Sequence, residues 1–129
     1  MRGLFILFAL LVAHVAWAAS SACPLTAQEQ ASQVGEDTCL QIEVHEEQKH
    51  LDVALLNLRR SLSPQNWGKL EASQRAWKET TRLDCEIRAS FYAGGTIQPF
   101  VSGVCYGEHI RARLEYLRHC LSVAYPCRK

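Results

Sequence analysis

The chain has 129 residues, of which 48% are hydrophobic and 21% charged, with a formal net charge of +1. That length holds one modest domain, and the balanced charge argues against a nucleic-acid partner, which a strongly basic surface would signal. Six cysteines in so short a chain point to crosslinks that supplement a small core.

Met1-Arg2 is followed by an apolar run that closes on Ala16-Trp17-Ala18, a small-residue cleavage site. This order predicts a secretory signal peptide over residues 1–18, with residues 19–129 as a single helical, disulfide-linked domain. The apolar run is too short and too poorly flanked for a membrane span. A lipoprotein reading would use Cys23 after Ser20-Ser21-Ala22. It is disfavoured, because such sites carry Leu where Ser20 stands and lipidation would leave an odd set of five thiols. The expected location is periplasmic or secreted.

Without residues 1–18 the basic and acidic residues balance, but they are separated along the chain. Glu29, Glu36, Asp37, Glu43, Glu46, Glu47 and Asp52 face Lys49 alone before residue 59, whereas the rest of the chain is rich in Arg and Lys. Such a dipole either steers a charged partner or is satisfied within the fold.

Thr26-x-x-Glu29 is a capping box that predicts a short helix ending at Gly35. The next helix is expected to open at Asp37, with Leu40, Val44, Leu51, Leu55, Leu58 and Leu62 at helical spacing. Leu62-Ser63-Pro64 leaves almost no loop, so the following helix should return antiparallel. Ser63 as N-cap, Pro64 in the first turn and Gly94-Gly95 as the stop mark that helix, which reads as the element the fold is built around. One face carries Trp67, Leu70, Gln74, Trp77, Thr81, Cys85 and Arg88. Pro99 suits a connector, and a third helix carries Tyr106, Ile110, Leu114, Leu117 and Leu121, with Gly103 and Gly107 weakening its first turns by about 1 kcal/mol each relative to Ala. No stretch alternates like a strand. The expected fold is all-α, a small antiparallel bundle of three main helices stapled by disulfides.

Cys23, Cys39, Cys85, Cys105, Cys120 and Cys127 form an even set, read as three bridges. In an up-down-up bundle Cys39, Cys85 and Cys105 share one end, with Cys23 close by, and Cys120 and Cys127 lie at the other. Cys120–Cys127 is the favoured local pair, and Cys23–Cys39 with Cys85–Cys105 is preferred for the remaining four.

Sites for chemistry are not evident. His45 and His50 are five apart, about 140° around a helix, and cannot form a zinc pair of the H-E-x-x-H kind. The cysteines lack zinc spacing and no G-x-S-x-G elbow occurs. No cofactor, metal or enzymatic activity is implied.

The run Leu70-x₃-Gln74-x₂-Trp77, then Cys85, Gly94-Gly95, Cys105, and Arg113-x₃-Leu117, resembles the LprI-type lysozyme-inhibitor-like domain family of small exported bacterial proteins. The resemblance covers about residues 39–118. It implies a helical, disulfide-linked fold and, for the named member, inhibition of lysozyme. The sequence departs from the family where Tyr-Arg-Asp is usual after the Trp: Thr80-Thr81-Arg82 stands there. Ile110 replaces the Thr expected five residues after Cys105. The partner of Arg113 is thereby left open, with Asp84 the candidate substitute. Read from the residues themselves, the motif is structural, with Trp77 favoured as a packing residue over a ligand contact.

The function expected from this resemblance is an exported binding protein that occludes the cleft of a lysozyme or other peptidoglycan hydrolase. Glu36, Asp37, Glu43, Glu46 and Glu47 are the candidate partner-binding residues for a basic target. The alternative, from another class, is an envelope structural or assembly adaptor that inhibits nothing.

Overall fold

A computed structural model describes residues 23–121. The expected signal peptide and Cys127 lie outside the described residues, as does the side chain of Cys120, and with them the Cys120–Cys127 pair. Helix α1 spans Ala27–Gln30, α2 Gln33–Ser61, α3 Pro64–Ser90 and α4 Gln98–Glu115, and a π-helical turn, Tyr116–Cys120, prolongs α4. The all-α bundle predicted from periodicity is the observed fold class, with three main helices and no strand among the described residues.

The start of the bundle differs from expectation. The Thr26–Glu29 capping box is present, but α1 stops at Gln30 and α2 begins four residues before Asp37. Ser32, not an acidic residue, caps α2 by accepting a hydrogen bond from the Gly35 N–H at 3.0 Å. Gly35 therefore lies inside the first turn of α2 and does not end a helix. Its role is closeness: an added Cβ would sit 1.9 Å from the Glu29 carbonyl oxygen. The chain can double back from α1 onto α2 only because nothing occupies that space.

Helix α3 starts as its sequence dictates, with Ser63 accepting from the Asn66 N–H at 3.3 Å and Pro64 in the first turn. It ends at Ser90, short of the expected glycine stop. Tyr92 and Ala93 donate to the carbonyls of Ala89 and Ser90, so three-residue bonds tighten and close the last turn. Gly94 does adopt positive φ, at 80°, but in the connection after the helix. Pro99 belongs to the first turn of α4, where a missing N–H removes no helical bond.

Helix α4, not α3, organises the packing. It packs closely against both α2 and α3, which approach each other far less. Its buried Ile110 and Leu114, and Leu117 in the π-helical turn, meet Leu51 of α2 and Leu70 of α3 in one core cluster. Val44, Leu55, Leu58, Leu62, Trp67, Trp77 and Leu121 surround that cluster, partly buried. The two indoles thus lie at the margin of the core. The reason for α4's position is visible in its glycines. A Cβ at Gly103 would come within 2.9 Å of Leu40 Cδ2, and one at Gly107 within 3.2 Å of Val44 Cγ2. These glycines weaken the isolated helix, yet they let α4 and α2 approach side chain against backbone.

Two bridges hold the end where α2 begins and α3 finishes. Cys23–Cys39 has a Cα–Cα distance of 5.0 Å and Cys85–Cys105 one of 5.5 Å, the two preferred pairings. Cys85 and Cys105 are fully enclosed, so this bridge is part of the α3–α4 packing as well as a tether.

Candidate functional site

The motif residues that lie far apart in sequence converge along the seam between α3 and α4. Leu70 and Leu117 meet in the core, Cys85 is bonded to Cys105, and Gln74 and Trp77 lie against Arg113. Arg113 Nε donates to Gln74 Oε1 at 2.9 Å, and a terminal nitrogen donates to Ser73 Oγ at 3.0 Å. The guanidinium carbon is 5.9 Å from the Trp77 ring centre and 5.3 Å from that of Tyr116. Asp84 is not its partner. Asp84 lies instead 3.7 Å from His109 Nε2.

A planar guanidinium between aromatic faces, with side-chain acceptors at its edge, needs no carboxylate in contact. Burial pushes the Arg113 guanidinium below its usual value, the direction desolvation imposes on a cation. Gln74 Nε2 is buried without a protein partner, as is Thr81 Oγ1 two turns further along α3. The cradle also contains two residues that motif reading misses, Ser73 and Tyr116. Their signals are adjacency to Gln74 and the three-residue step from Arg113.

The cradle joins Arg113 to side chains of α3, and its contribution to stability is measurable. Arg113→Lys keeps the charge but loses the bond from Nε and the planar stacking, leaving the buried Gln74 carbonyl without its donor. The expected loss is about 2 kcal/mol of stability in urea unfolding. A change below about 0.5 kcal/mol, the usual spread of surface substitutions, would show that the cradle holds nothing together.

The acidic candidates do not form one patch. Glu36, Glu43 and Glu47 follow steps of seven and four and share a face of α2. Asp37 lies about 100° around the helix, with one carboxylate oxygen buried and lacking a protein partner. Glu46 lies on the other side of that face and binds Lys49 at 2.6 Å, a contact that holds its carboxyl below the usual range. Three carboxylates therefore remain as a common acidic face.

His45 and His50 are exposed on α2, and His109 is close to Cys85 and Cys105. The sulfurs of that last trio are bonded to each other, so they are spent as metal ligands. Open grooves flank α4, one of about 460 Å³ lined largely by Ala54, Leu58, Leu117 and Leu121. The wall of that groove is mainly aliphatic and suits contact with a partner better than acid–base chemistry. No helix among the described residues is long and apolar enough to cross a membrane.

Comparison with known proteins gives one result. The family model described as Lysozyme inhibitor LprI matches residues 23–117, a span that includes both bridges, the Arg113 cradle and the acidic face. No curated protein and no solved structure gives a significant match.

Proposed function

The chain belongs to the LprI lysozyme-inhibitor family, and on that premise we propose that it is an exported, periplasmic or secreted protein that blocks a lysozyme-like cell-wall hydrolase by covering its cleft. The family match carries this reading, and the acidic face of α2 supports it. Hydrolases of this kind cleave glycosides with a pair of carboxyl groups in a cleft. A blocker needs only to exclude substrate, so no chemistry of its own is required. Glu36, Glu43 and Glu47 would steer a basic target and orient the encounter, an effect that acts more on association rate than on final affinity. The two disulfides among the described residues suit an oxidising compartment outside the cytoplasm.

Titration of the oxidised chain into a turnover assay of a basic lysozyme is expected to abolish activity, with matching heat in calorimetry. Reversing the face with Glu36→Lys, Glu43→Lys and Glu47→Lys together should slow association and flatten its salt dependence. Absence of both binding and inhibition by the unaltered chain at high micromolar concentration ends this reading for that enzyme.

A further inference from the structure

Resting on the inhibitor reading above, we infer that the α3–α4 connection, Phe91 to Ile97, is the wedge that enters the hydrolase cleft. The most exposed large hydrophobic side chain among the described residues stands at this tip. Phe91 is 80% exposed, Ile87 one turn before it is 62% exposed, and Tyr92 and Ile97 are also open to solvent. Exposed large apolar side chains gathered at the end of one helix and the connection after it are a feature of contact surfaces.

The tip is built to be rigid. Gly95 N–H donates to the Tyr92 carbonyl and Gln98 N–H to the Gly95 carbonyl, while Gly94 N–H donates to Gln98 Oε1. Gly94 makes the turn possible through its positive φ of 80°. Thr96 donates to Gln33 Oε1 at 3.2 Å and so anchors the connection to the start of α2. The Cys85–Cys105 bridge closes the whole segment at its base. An exposed aromatic on an ordered loop loses little freedom when it binds, the condition for an anchor residue.

Charge identifies the occupant. From Ala89 to Gly107 the chain has no charged residue. An uncharged wedge can approach the two catalytic carboxyls of a glycoside hydrolase, where a carboxylate in the wedge would be repelled. Glu36, the exposed first member of the acidic face, lies one turn along α2 from Gln33, which anchors the tip. Before Lys49 the described chain contains no Lys or Arg. The acidic flank therefore suits a basic surface around the cleft, while the neutral tip suits the acidic floor within it.

The test compares the oxidised chain with Phe91→Asp and Phe91→Trp against a basic lysozyme, with circular dichroism and melting temperature confirming that the exposed substitutions leave the fold unchanged. A photo-crosslinking amino acid at position 91 maps the contact. Expected are an inhibition constant weakened about thirtyfold or more by Phe91→Asp, the size of an anchor-residue effect, near-normal inhibition by Phe91→Trp, and crosslinks to peptides lining the cleft. If the unaltered chain inhibits and Phe91→Asp does so equally well, the wedge is overturned and the inhibitor reading stands. If position 91 crosslinks only to a second copy of the chain, and Phe91→Asp converts a dimer to monomer in sedimentation, the occupant is wrong. Should the unaltered chain neither bind nor inhibit the lysozyme, the inhibitor reading fails for that enzyme and the wedge fails with it.

Discussion

Leu51→Ala is expected to destabilise the protein by about 3 kcal/mol, in the middle of the range for a buried leucine cut back to alanine. Leu51 is completely enclosed and belongs to the cluster where α2, α3 and α4 meet. The loss combines the transfer of the removed carbons with the cavity they leave, because α4 is held against α2 and α3 and the site cannot collapse freely. Alanine is the better helix former, and that preference returns only a few tenths of a kcal/mol. For a domain near 100 residues the expected fall in melting temperature is on the order of 15 °C. Leu56→Ala on the same helix is the control, since Leu56 is 46% exposed and its loss should stay within about 0.5 kcal/mol. Equal effects from the two substitutions would contradict a core centred on α4.

The contrast between Leu51 and Leu56 also shows what the sequence makes legible. Leu51 lies on the regular stripe through Val44, Leu55 and Leu58, so its inward-facing position follows from spacing, whereas its complete burial beside partly buried neighbours does not. The start of α3 is equally legible, because Ser63 and Pro64 act through local bonds. Gly35, Gly103 and Gly107 are different. A glycine has no local signature that separates a helix stop from a close approach, and here a distant chain decides: Glu29 in one case, Leu40 and Val44 in the others. The central position of α4 follows from those contacts, which no local pattern encodes.

The candidate site divides in the same way. Leu70, Gln74, Trp77, Arg113 and Leu117 are recognisable as a set, yet their spacing does not reveal that Gln74 receives Arg113. Charge alone would choose Asp84 as the partner of a guanidinium at position 113. The structure instead surrounds Arg113 with Trp77, Tyr116 and neutral acceptors, an arrangement that depends on rotamers across two helices. Of the five acidic candidates, Glu46 is distinguished by its bond to Lys49 and Asp37 by its partial burial, features read only from the fold. The exposed tip did carry a sequence signal, the uncharged run from Ala89 to Gly107, but such a run reads as core until the position of Phe91 is known.

Replacing Cys85 and Cys105 together by serine is expected to cost about 3 kcal/mol on the chain-entropy account, for a crosslink with a sequence separation of 20 residues. Two further effects act in the same direction. Both positions are buried, so serine places hydroxyls where the sulfurs had no need of hydrogen bonds. The bridge also fixes the end of α3 to α4 at the base of the tip, where the exposed Arg88–Glu108 ion pair contributes little on its own. The Cys23–Cys39 bridge ties the segment before α1 to a partly exposed position on α2, and its removal should affect mainly the N-terminal turn. Chemical unfolding of each double-serine variant, together with alkylation and peptide mapping of the unaltered chain, separates these roles. A Cys85/Cys105 variant with unchanged unfolding midpoint would show that the α3–α4 seam is held by its side chains alone. If instead the midpoint falls as expected and inhibition falls with it, while loss of Cys23–Cys39 spares inhibition, the bridge at the base of the tip serves both the fold and the contact surface.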